Sequence, residues 1–199
     1  MTGPPLAYQA FLEAAKASGR PPTEFLRETL PVVFLEAYVE MVPRRANVVS
    51  VTGGTFEYVY DNYAELEATG VVEPDPVTES RLVCAVGISR MNESRRDDAR
   101  LRGWVGPTGA TFGEGWDKGH FIAHTMGGAI DGLEMNVFLQ RRSVNRGGYR
   151  RLERYCAANP GVLCFSRPIY SGPSATPSAV EFGVLTLDGV FDIETFSNQ

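Results

Sequence analysis

Apolar residues recur with helical spacing near the start of the chain. Residues 6–18 are rich in alanine and predict a short amphipathic helix, and residues 24–42 carry a second periodic apolar pattern. Pro31 falls inside the second pattern. Because proline removes a backbone donor and clashes with the preceding turn, we expect two helical pieces or a kink there. Pro43 ends the pattern, and we predict a helical N-terminal leader over residues 1–45.

Beyond the leader the pattern changes to short apolar or alternating segments bounded by glycine, proline and serine, which is typical of strands and turns. Residues 145–158 are the exception and predict a helix that Pro160 and Gly161 end. The predicted strands are residues 47–52, 56–60, 81–89, 116–123, 133–139, 162–170, 179–187 and 190–195. Together these elements predict an α+β domain over residues 46–199 with a mixed, mostly antiparallel sheet.

Length and composition are ordinary for a soluble globular protein. The chain has 199 residues, of which 43% are hydrophobic and 22% are charged. It contains no run of about 18 apolar residues, which predicts that nothing spans a membrane. Its first residues lack a basic segment followed by an apolar one, so we expect no ordinary signal peptide. A cytoplasmic location, or export by another route, follows from this.

The odd number of cysteines argues against a complete disulfide framework. Cys156 and Cys164 lie close in sequence and could pair in an oxidising compartment. Buried reduced thiols are the favoured interpretation for these two and for Cys84. Because no Cys-x-x-Cys spacing occurs, the sequence also argues against a structural zinc site.

The net charge of −5 is distributed unevenly along the chain. Residues 1–80 carry −7, residues 81–167 carry +6 and residues 168–199 carry −4. The basic segment contains both histidines, His120 and His124, and nearly all of its positive charge is arginine. A basic patch in an acidic protein favours a polyanionic substrate, although an arginine-rich surface with solvated side chains would give the same pattern.

Phosphodiester hydrolysis requires a base for water, a cation for the developing charge and donors for the phosphate. His120 follows Gly119 at the end of a predicted strand, and histidine is the natural base near neutral pH. Asn145 offers a carbonyl oxygen to Mg²⁺ at the start of the predicted helix. Glu153 follows about two turns later on nearly the same face, where it could hold waters around the metal.

Arginines surround this predicted helix and suit contacts with backbone phosphates. Because phosphate contacts carry no sequence information, they predict little sequence preference and strong salt sensitivity. The arginines are Arg141, Arg142, Arg146, Arg150, Arg151 and Arg154.

Three motifs in this stretch resemble those of the DNA/RNA non-specific endonuclease family, the ββα-metal or His-Me finger nucleases. That family carries Asp-Arg-Gly-His, then Asn-x-x-x-Gln, then Asn-x-Gly-x-x-x-x-Leu-Glu. This chain has Asp117-Lys118-Gly119-His120, then Asn136 to Gln140, then Asn145-Arg146-Gly147 with Leu152-Glu153. The resemblance extends over about residues 50–199 and is close after Trp116. It implies that the mostly antiparallel sheet carries a ββα-metal (His-Me finger) nuclease site.

The resemblance implies a metal-dependent endonuclease that cuts DNA and RNA with Mg²⁺ or Mn²⁺ and leaves 5′-phosphate and 3′-hydroxyl ends. His120 would be the general base, Asn145 the metal ligand and Glu153 a catalytic residue that acts through waters around the metal. The residues expected to brace the site are Asp117, Asn136 and Gln140. The residues expected to contact nucleic acid are Lys118, which stands where the family has arginine, and Arg141, Arg142, Arg146 and Arg150.

The family also places an arginine on the transition state, in an Arg-x-Trp context. Arg102-Gly103-Trp104 is similar, although its distance along the chain to the Asp-Lys-Gly-His motif is shorter than in secreted relatives. Arg100 and Arg90 are alternatives to Arg102. His124 has no counterpart in the family motifs, and a surface or supporting position is expected for it.

A further resemblance concerns biological role. The segments around residues 119–128 and 168–178 are similar to the branch found as C-terminal toxin domains of bacterial polymorphic effectors. This implies an antibacterial effector delivered by a specialised secretion route, with a cognate immunity protein as partner. The acidic leader could dock to another part of an effector or cover the basic site.

Two other classes of function stay open. A catalytically silent nucleic-acid-binding or inhibitor module could keep the same fold, although intact His120, Asn145 and Glu153 argue against it. A structural protein with a coincidental motif would bind no nucleic acid at all.

Overall fold

The computed structural model describes residues 6–42, 46–62, 80–92, 115–129, 136–172 and 174–199. Six strands form an antiparallel sheet in the order β1-β2-β3-β6-β7-β8. They are β1 (Val48–Gly53), β2 (Phe56–Asp61), β3 (Arg81–Ile88), β6 (Leu163–Ile169), β7 (Ala179–Leu185) and β8 (Phe191–Ser197). Helices flank this sheet, so the predicted α+β fold with a mostly antiparallel sheet is confirmed.

A second, two-stranded sheet lies in the middle of the chain. It pairs β4 (Trp116–His120) with β5 (Val137–Arg141) in antiparallel register, so that the last residue of β4 lies opposite the first residue of β5. Two helices follow β5 at once, α3 (Arg142–Arg146) and α4 (Gly148–Ala158). Consecutive segments therefore form a strand–strand–helix unit that carries all three motifs.

The strand–strand–helix unit packs on one face of the six-stranded sheet. From α4, Tyr149 and Cys156 are fully buried in the same core cluster as Cys164 of β6 and Phe182 of β7. The Tyr149 and Phe182 rings meet edge to face, with centroids 5.1 Å apart. The apolar side of α4 thus anchors the unit, and its arginine-rich side is left for contact with solvent or a ligand.

Two helices cover the opposite face of the sheet, α1 (Tyr8–Ala17) and α2 (Pro22–Met41). Side chains alternate between faces along a strand, so Cys164 points towards α4 while Phe165 points towards α2. The ring of Phe34 lies 4.9 Å from that of Phe165, centroid to centroid. The leader helices and the sheet therefore share one hydrophobic core.

Polar contacts also join the leader to the sheet. The Tyr38 hydroxyl donates to Asp61 Oδ2 at 2.8 Å, and the Tyr8 hydroxyl donates to the Glu181 carboxylate. Arg167 Nε lies 3.4 Å from Glu181 Oε2, and these two side chains are only 6% and 10% exposed. Buried carboxylates need hydrogen-bond donors. Tyr38 and Tyr8 of the leader supply donors to the carboxylates of Asp61 and Glu181 on the sheet.

Asn198 joins the end of the large sheet to the small one. Its side chain accepts the backbone N–H of Arg141 at 2.8 Å and donates to the carbonyl oxygens of Leu139 and Pro177, both at 2.9 Å. The residue is 3% exposed. One amide side chain therefore bonds backbone groups of β5 in addition to its pairing with β4.

At Pro31 the sequence predicts either two helical pieces or a kink. Residues Pro22–Met41 form a single α-helix, so the prediction of two separate pieces is wrong. Pro31 lies on the buried face together with Leu30 and Phe34. Packing of that face on the sheet stabilises the helix across the missing hydrogen bond, as tertiary contacts generally do for helices in proteins.

The helix predicted over residues 145–158 is divided. Gly147, with φ −101° and ψ −121°, separates α3 from α4. Asn145 therefore lies near the end of a short helix rather than in the first turn of the long one. The expected two-turn spacing between Asn145 and Glu153 is wrong, and their proximity has another cause, described below.

Removing the Phe34 side chain tests whether the leader is part of the folding unit. Phe34→Ala should lower the free energy of unfolding by about 3–5 kcal/mol, because it leaves a cavity between α2 and β6. Urea unfolding followed by circular dichroism measures this. Val32→Ala, at a 55% exposed position of the same helix, is the matched control and should change stability by less than about 0.5 kcal/mol. Equal, small effects of both changes would mean that the leader is an independent arm.

Candidate active site

The strand–strand–helix unit borders a pocket of about 720 Å³. The end of β4, the short 3-10 turn His124–Met126, α3 and α4 all contribute to its wall. The lining residues are Asn92, Asp117, Lys118, His120, Ala123, His124, Thr125, Asn145, Arg146, Arg150 and Glu153. Three of the residues that the motifs single out for chemistry, His120, Asn145 and Glu153, therefore meet at one cavity.

His120 is the last residue of β4 and enters the pocket wall there. Gly119 precedes it, and any side chain at Gly119 would collide with the side chain of Gln140 on β5. Gln140 is 1% exposed, and its amide atoms have no hydrogen-bond partner among the described residues. Gln140 thus contacts the motif by packing, which requires glycine beside the histidine.

Asn136 holds the segment that follows His120. Its Oδ1 accepts the backbone N–H of Ile122 at 3.0 Å, and its Nδ2 donates to the carbonyl oxygens of Ile122 at 2.9 Å and Ala129 at 2.8 Å. The Tyr149 hydroxyl adds a bond of 2.7 Å to the carbonyl oxygen of Phe121. Asn136 is fully buried, so its contacts are those of a brace rather than of a group that touches substrate.

Asp117 connects β4 to α3. Its carboxylate accepts hydrogen bonds from Asn145 Nδ2 at 3.2 Å, from Arg142 Nε at 3.1 Å and from Arg146 Nε at 2.8 Å. Burial alone would raise the pKa of Asp117, but the two guanidinium groups and the amide outweigh burial and hold this pKa below its ordinary value. The carboxylate is therefore ionised and acts only as an acceptor.

This network sets the direction of the Asn145 amide. A carboxylate can bind only the NH₂ end of an amide, so the carbonyl oxygen of Asn145 is the end that Asp117 does not contact. The same network holds α3 against β4, which brings Asn145 to the pocket despite the helix break at Gly147.

Glu153 reaches the pocket from α4. Burial raises the pKa of its carboxyl to about 8, against the lowering effect of the Arg150 charge. The raised pKa favours the protonated form of this carboxyl at neutral pH. An additional cation bound in the pocket would favour the ionised form.

Comparison with known proteins identifies the family of this chain. A family model described as DNA/RNA non-specific endonuclease matches residues 81–184, which is more than half of the chain. The chain belongs to the DNA/RNA non-specific endonuclease family. This endonuclease is accordingly a hydrolase that acts on nucleic acid.

Among solved structures, that of Sda1 nuclease with bound zinc ion is similar to the endonuclease. The two share 15% sequence identity, the match covers 82% of this chain and 81% of that chain, and the TM-score is 0.39. No curated protein matches the chain.

The predicted nucleic-acid contacts of the endonuclease fall into two groups. Lys118, Arg146 and Arg150 line the pocket, and burial lowers the pKa of Lys118. Arg142 pairs with Asp117 beside the pocket, and the guanidinium carbon of Arg141 lies 4.0 Å from the centroid of the Trp116 ring. The first group thus lies at the pocket, where Arg146 also pairs with Asp117, whereas Arg141 stacks on Trp116.

The arginine proposed for the transition state cannot be placed. Arg102 and its alternative Arg100 lie outside the described residues. Arg90, the other alternative, is exposed, and its side chain crosses Gly54 and Gly127 instead of lining the pocket.

His124 is a titratable pocket residue that lies outside the three motifs. Its ring lines the cavity, and its Nδ1 lies 3.3 Å from Asn92 Nδ2. The only sequence signal was that it is the second of two histidines within one short segment. The leader residues described do not line this pocket, so α1 and α2 do not cover it.

The remaining described features set limits on the site. Cys84, Cys156 and Cys164 are buried free thiols. No three His, Cys, Asp or Glu side chains of the described ranges come together as metal ligands. No helix in the described part of the chain combines the length and the apolarity that crossing a bilayer requires.

The raised pKa of Glu153 predicts a pH-dependent stability in EDTA. The folded state keeps a proton to about pH 8, whereas the unfolded carboxyl releases it near its ordinary pKa of 4.5. Stability should therefore fall as pH rises through this window, by up to about 1.4 kcal/mol per pH unit. Glu153→Gln removes this titration. From pH 5 to pH 8, the free energy of unfolding of the mutant should therefore rise relative to that of wild type by at least about 1 kcal/mol, as measured by urea unfolding. Glu28→Gln, at an exposed site, is the control, and parallel curves for wild type and Glu153→Gln would contradict the assignment.

Proposed function

We propose that the protein is a metal-dependent, sugar-non-specific endonuclease that hydrolyses the phosphodiester bonds of DNA and RNA. The observation that carries this proposal is the meeting of His120, Asn145 and Glu153 at one pocket that Arg146 and Arg150 also line. The first and third motifs each contribute several residues to the pocket, and the second motif supports it through Asn136 and Gln140. The family match to an endonuclease supports the same conclusion.

His120 is proposed as the general base. It stands at the pocket wall at the end of a rigid strand, and the segment after it is fixed by the buried Asn136. An imidazole that is neutral near physiological pH can take a proton from water as that water attacks phosphorus. Because the backbone after His120 is fixed before substrate binds, this proton transfer requires less reorganisation.

Mg²⁺ or Mn²⁺ is the proposed cofactor, and the residues present fit such an ion. Mg²⁺ keeps several waters and takes only one or two protein groups, so a single amide oxygen and a nearby carboxyl are sufficient. Asn145 would hold it through the carbonyl oxygen that faces away from Asp117, and Glu153 would neutralise charge beside it. When bound, the ion supplies positive charge to the phosphate and to the leaving 3′ oxygen. This donor set and the strand–strand–helix framework support a ββα-metal, His-Me finger site.

The proposed substrate contacts are with backbone phosphates. Lys118, Arg146 and Arg150 present positive charge to the pocket, and phosphate is common to DNA and RNA. Little sequence preference and a strong dependence on salt follow from contacts of this kind.

The biological role is proposed from the motif resemblance alone: an antibacterial effector toxin, delivered by a specialised secretion route and restrained by an immunity protein.

Cleavage assays test the activity. Supercoiled plasmid and total RNA incubated with the protein and Mg²⁺ should be degraded, whereas EDTA should stop the reaction. His120→Ala should lower the rate by at least about 100-fold, because it removes the general base. Lys16→Ala, at an exposed site on the leader, should leave the rate unchanged. Metal-dependent binding without turnover in wild type would favour the silent module, and equal cleavage by His120→Ala would remove His120 from the mechanism.

Asp117→Ala tests how Asn145 is oriented. Without the carboxylate, the amide is free to rotate and two guanidinium groups lose their partner beside the pocket. Affinity for Mn²⁺, measured by isothermal titration calorimetry, should fall by about 10-fold or more, a loss typical for removal of a group that orients a metal ligand. Asp117→Asn keeps one oxygen acceptor for the Asn145 amide and should retain more affinity than Asp117→Ala. Unchanged affinity in both variants would show that the network does not position the ligand.

A further inference from the structure

Arg154 lies on α4 one helical turn beyond Arg150. Both side chains are exposed, and Arg150 lines the pocket whereas Arg154 is not among its lining residues. Because residues four positions apart lie on the same side of a helix, the two guanidinium groups follow one another along α4. The positive charge of the pocket wall therefore continues past the pocket along the helix surface.

The helix itself does not account for the charge of Arg154. The residues three and four positions away are Arg150, Arg151, Ala157 and Ala158, so no acidic side chain faces it along α4. Like charges at this spacing repel each other. The last turn of α4 contains no basic residue, so Arg154 does not serve the helix dipole either.

The partners of neighbouring arginines distinguish them from Arg154. Asp117 binds Arg146, and Glu194 binds Arg151. Within the ranges that the structure describes, Arg154 has no hydrogen bond and no ion pair of its side chain. An exposed guanidinium group beside other positive groups is stabilised by an anion, and its planar set of donors matches phosphate.

The spacing of the two arginines suits successive phosphates of one strand. Four residues of α-helix advance about 6 Å along the helix axis. The phosphates of one DNA strand advance about 3.4 Å per nucleotide along a duplex. A strand that lies along α4 would therefore bring to Arg154 a phosphate one or two nucleotides from the phosphate at Arg150.

We propose that Arg154 binds a backbone phosphate one or two nucleotides beyond the phosphate held in the pocket, so that the substrate strand leaves the pocket along α4. This inference rests on the proposed nuclease function. A contact away from the cleaved bond contributes equally to the binding of substrate and of transition state. Loss of Arg154 should accordingly weaken substrate binding and leave the chemical step nearly intact.

The salt dependence of binding is the direct measurement. In the His120→Ala background, fluorescence anisotropy with a labelled single-stranded oligonucleotide and Mg²⁺ gives Kd at several salt concentrations. Adding Arg154→Ala should raise Kd about fivefold at low salt, the upper range for one exposed ion pair. It should also reduce the slope of log Kd against log salt by about 0.7, the value for one phosphate contact on a single strand. Arg154→Lys keeps the charge and should keep this slope.

Two matched controls remove an arginine elsewhere. Arg27→Ala changes the net charge equally at an exposed position of α2, on the opposite face of the sheet, and should leave both Kd and the slope unchanged. Arg151→Ala removes an arginine of α4 that Glu194 already binds, and it should reduce the slope less than Arg154→Ala does.

Steady-state kinetics in the otherwise wild-type chain complete the test. Arg154→Ala should raise KM about fivefold and keep kcat within about twofold. Thermal unfolding of each variant shows whether the fold is retained.

The possible outcomes are distinct. A fall in kcat at unchanged KM would overturn the proposal by placing Arg154 in the chemical step. An unchanged salt slope in Arg154→Ala, or an equal loss of slope in either control, would overturn it by removing the specific phosphate contact. If His120→Ala binds no oligonucleotide and wild type cleaves none, the proposed nuclease function fails and this inference fails with it. Metal-dependent cleavage that requires His120, together with binding that is insensitive to Arg154, would refute only the inference.

Discussion

The geometry of the site depends on the ion pairs of a single carboxylate, that of Asp117. It accepts from two arginines and one asparagine of α3, and so it fastens a helix of only five residues to the strand beside it. A helix so short has little stability of its own. The charge-assisted hydrogen bonds add stability that so short a helix lacks. They also determine that the carbonyl oxygen of Asn145 is the end of the amide that Asp117 does not bind.

A second constraint comes from the two-sided sheet. Its central strand β6 sends Cys164 into the core beneath α4 and Phe165 into the core beneath α2. The site and the leader therefore lie on opposite faces of one sheet and contact the same strands. Stability contributed by the leader supports the site through the sheet, without any leader residue described at the pocket.

Much of this arrangement could be predicted from the sequence, because motif spacing and alternating apolar residues are local signals. The strands of the large sheet and the assembly of His120, Asn145 and Glu153 follow from such signals. The break at Gly147 and the uninterrupted helix at Pro31 do not, since each is decided by packing and hydrogen bonds to distant segments. The pocket position of His124 likewise depends on a turn held by Asn136 and by residues near Asn92. Periodicity carries no information about such contacts.

Distance along the chain is a poor guide to what supports the two-stranded sheet that ends in His120. Asn198 lies 57 residues after Arg141, yet its side chain completes the hydrogen bonding of β5, which carries the Asn-x-x-x-Gln motif. An edge strand whose backbone groups are met by one amide side chain is sensitive to that side chain alone. Trimming the chain before Asn198, or fusing a tag that pulls on β8, would loosen β5 and through it the paired strand that ends in His120.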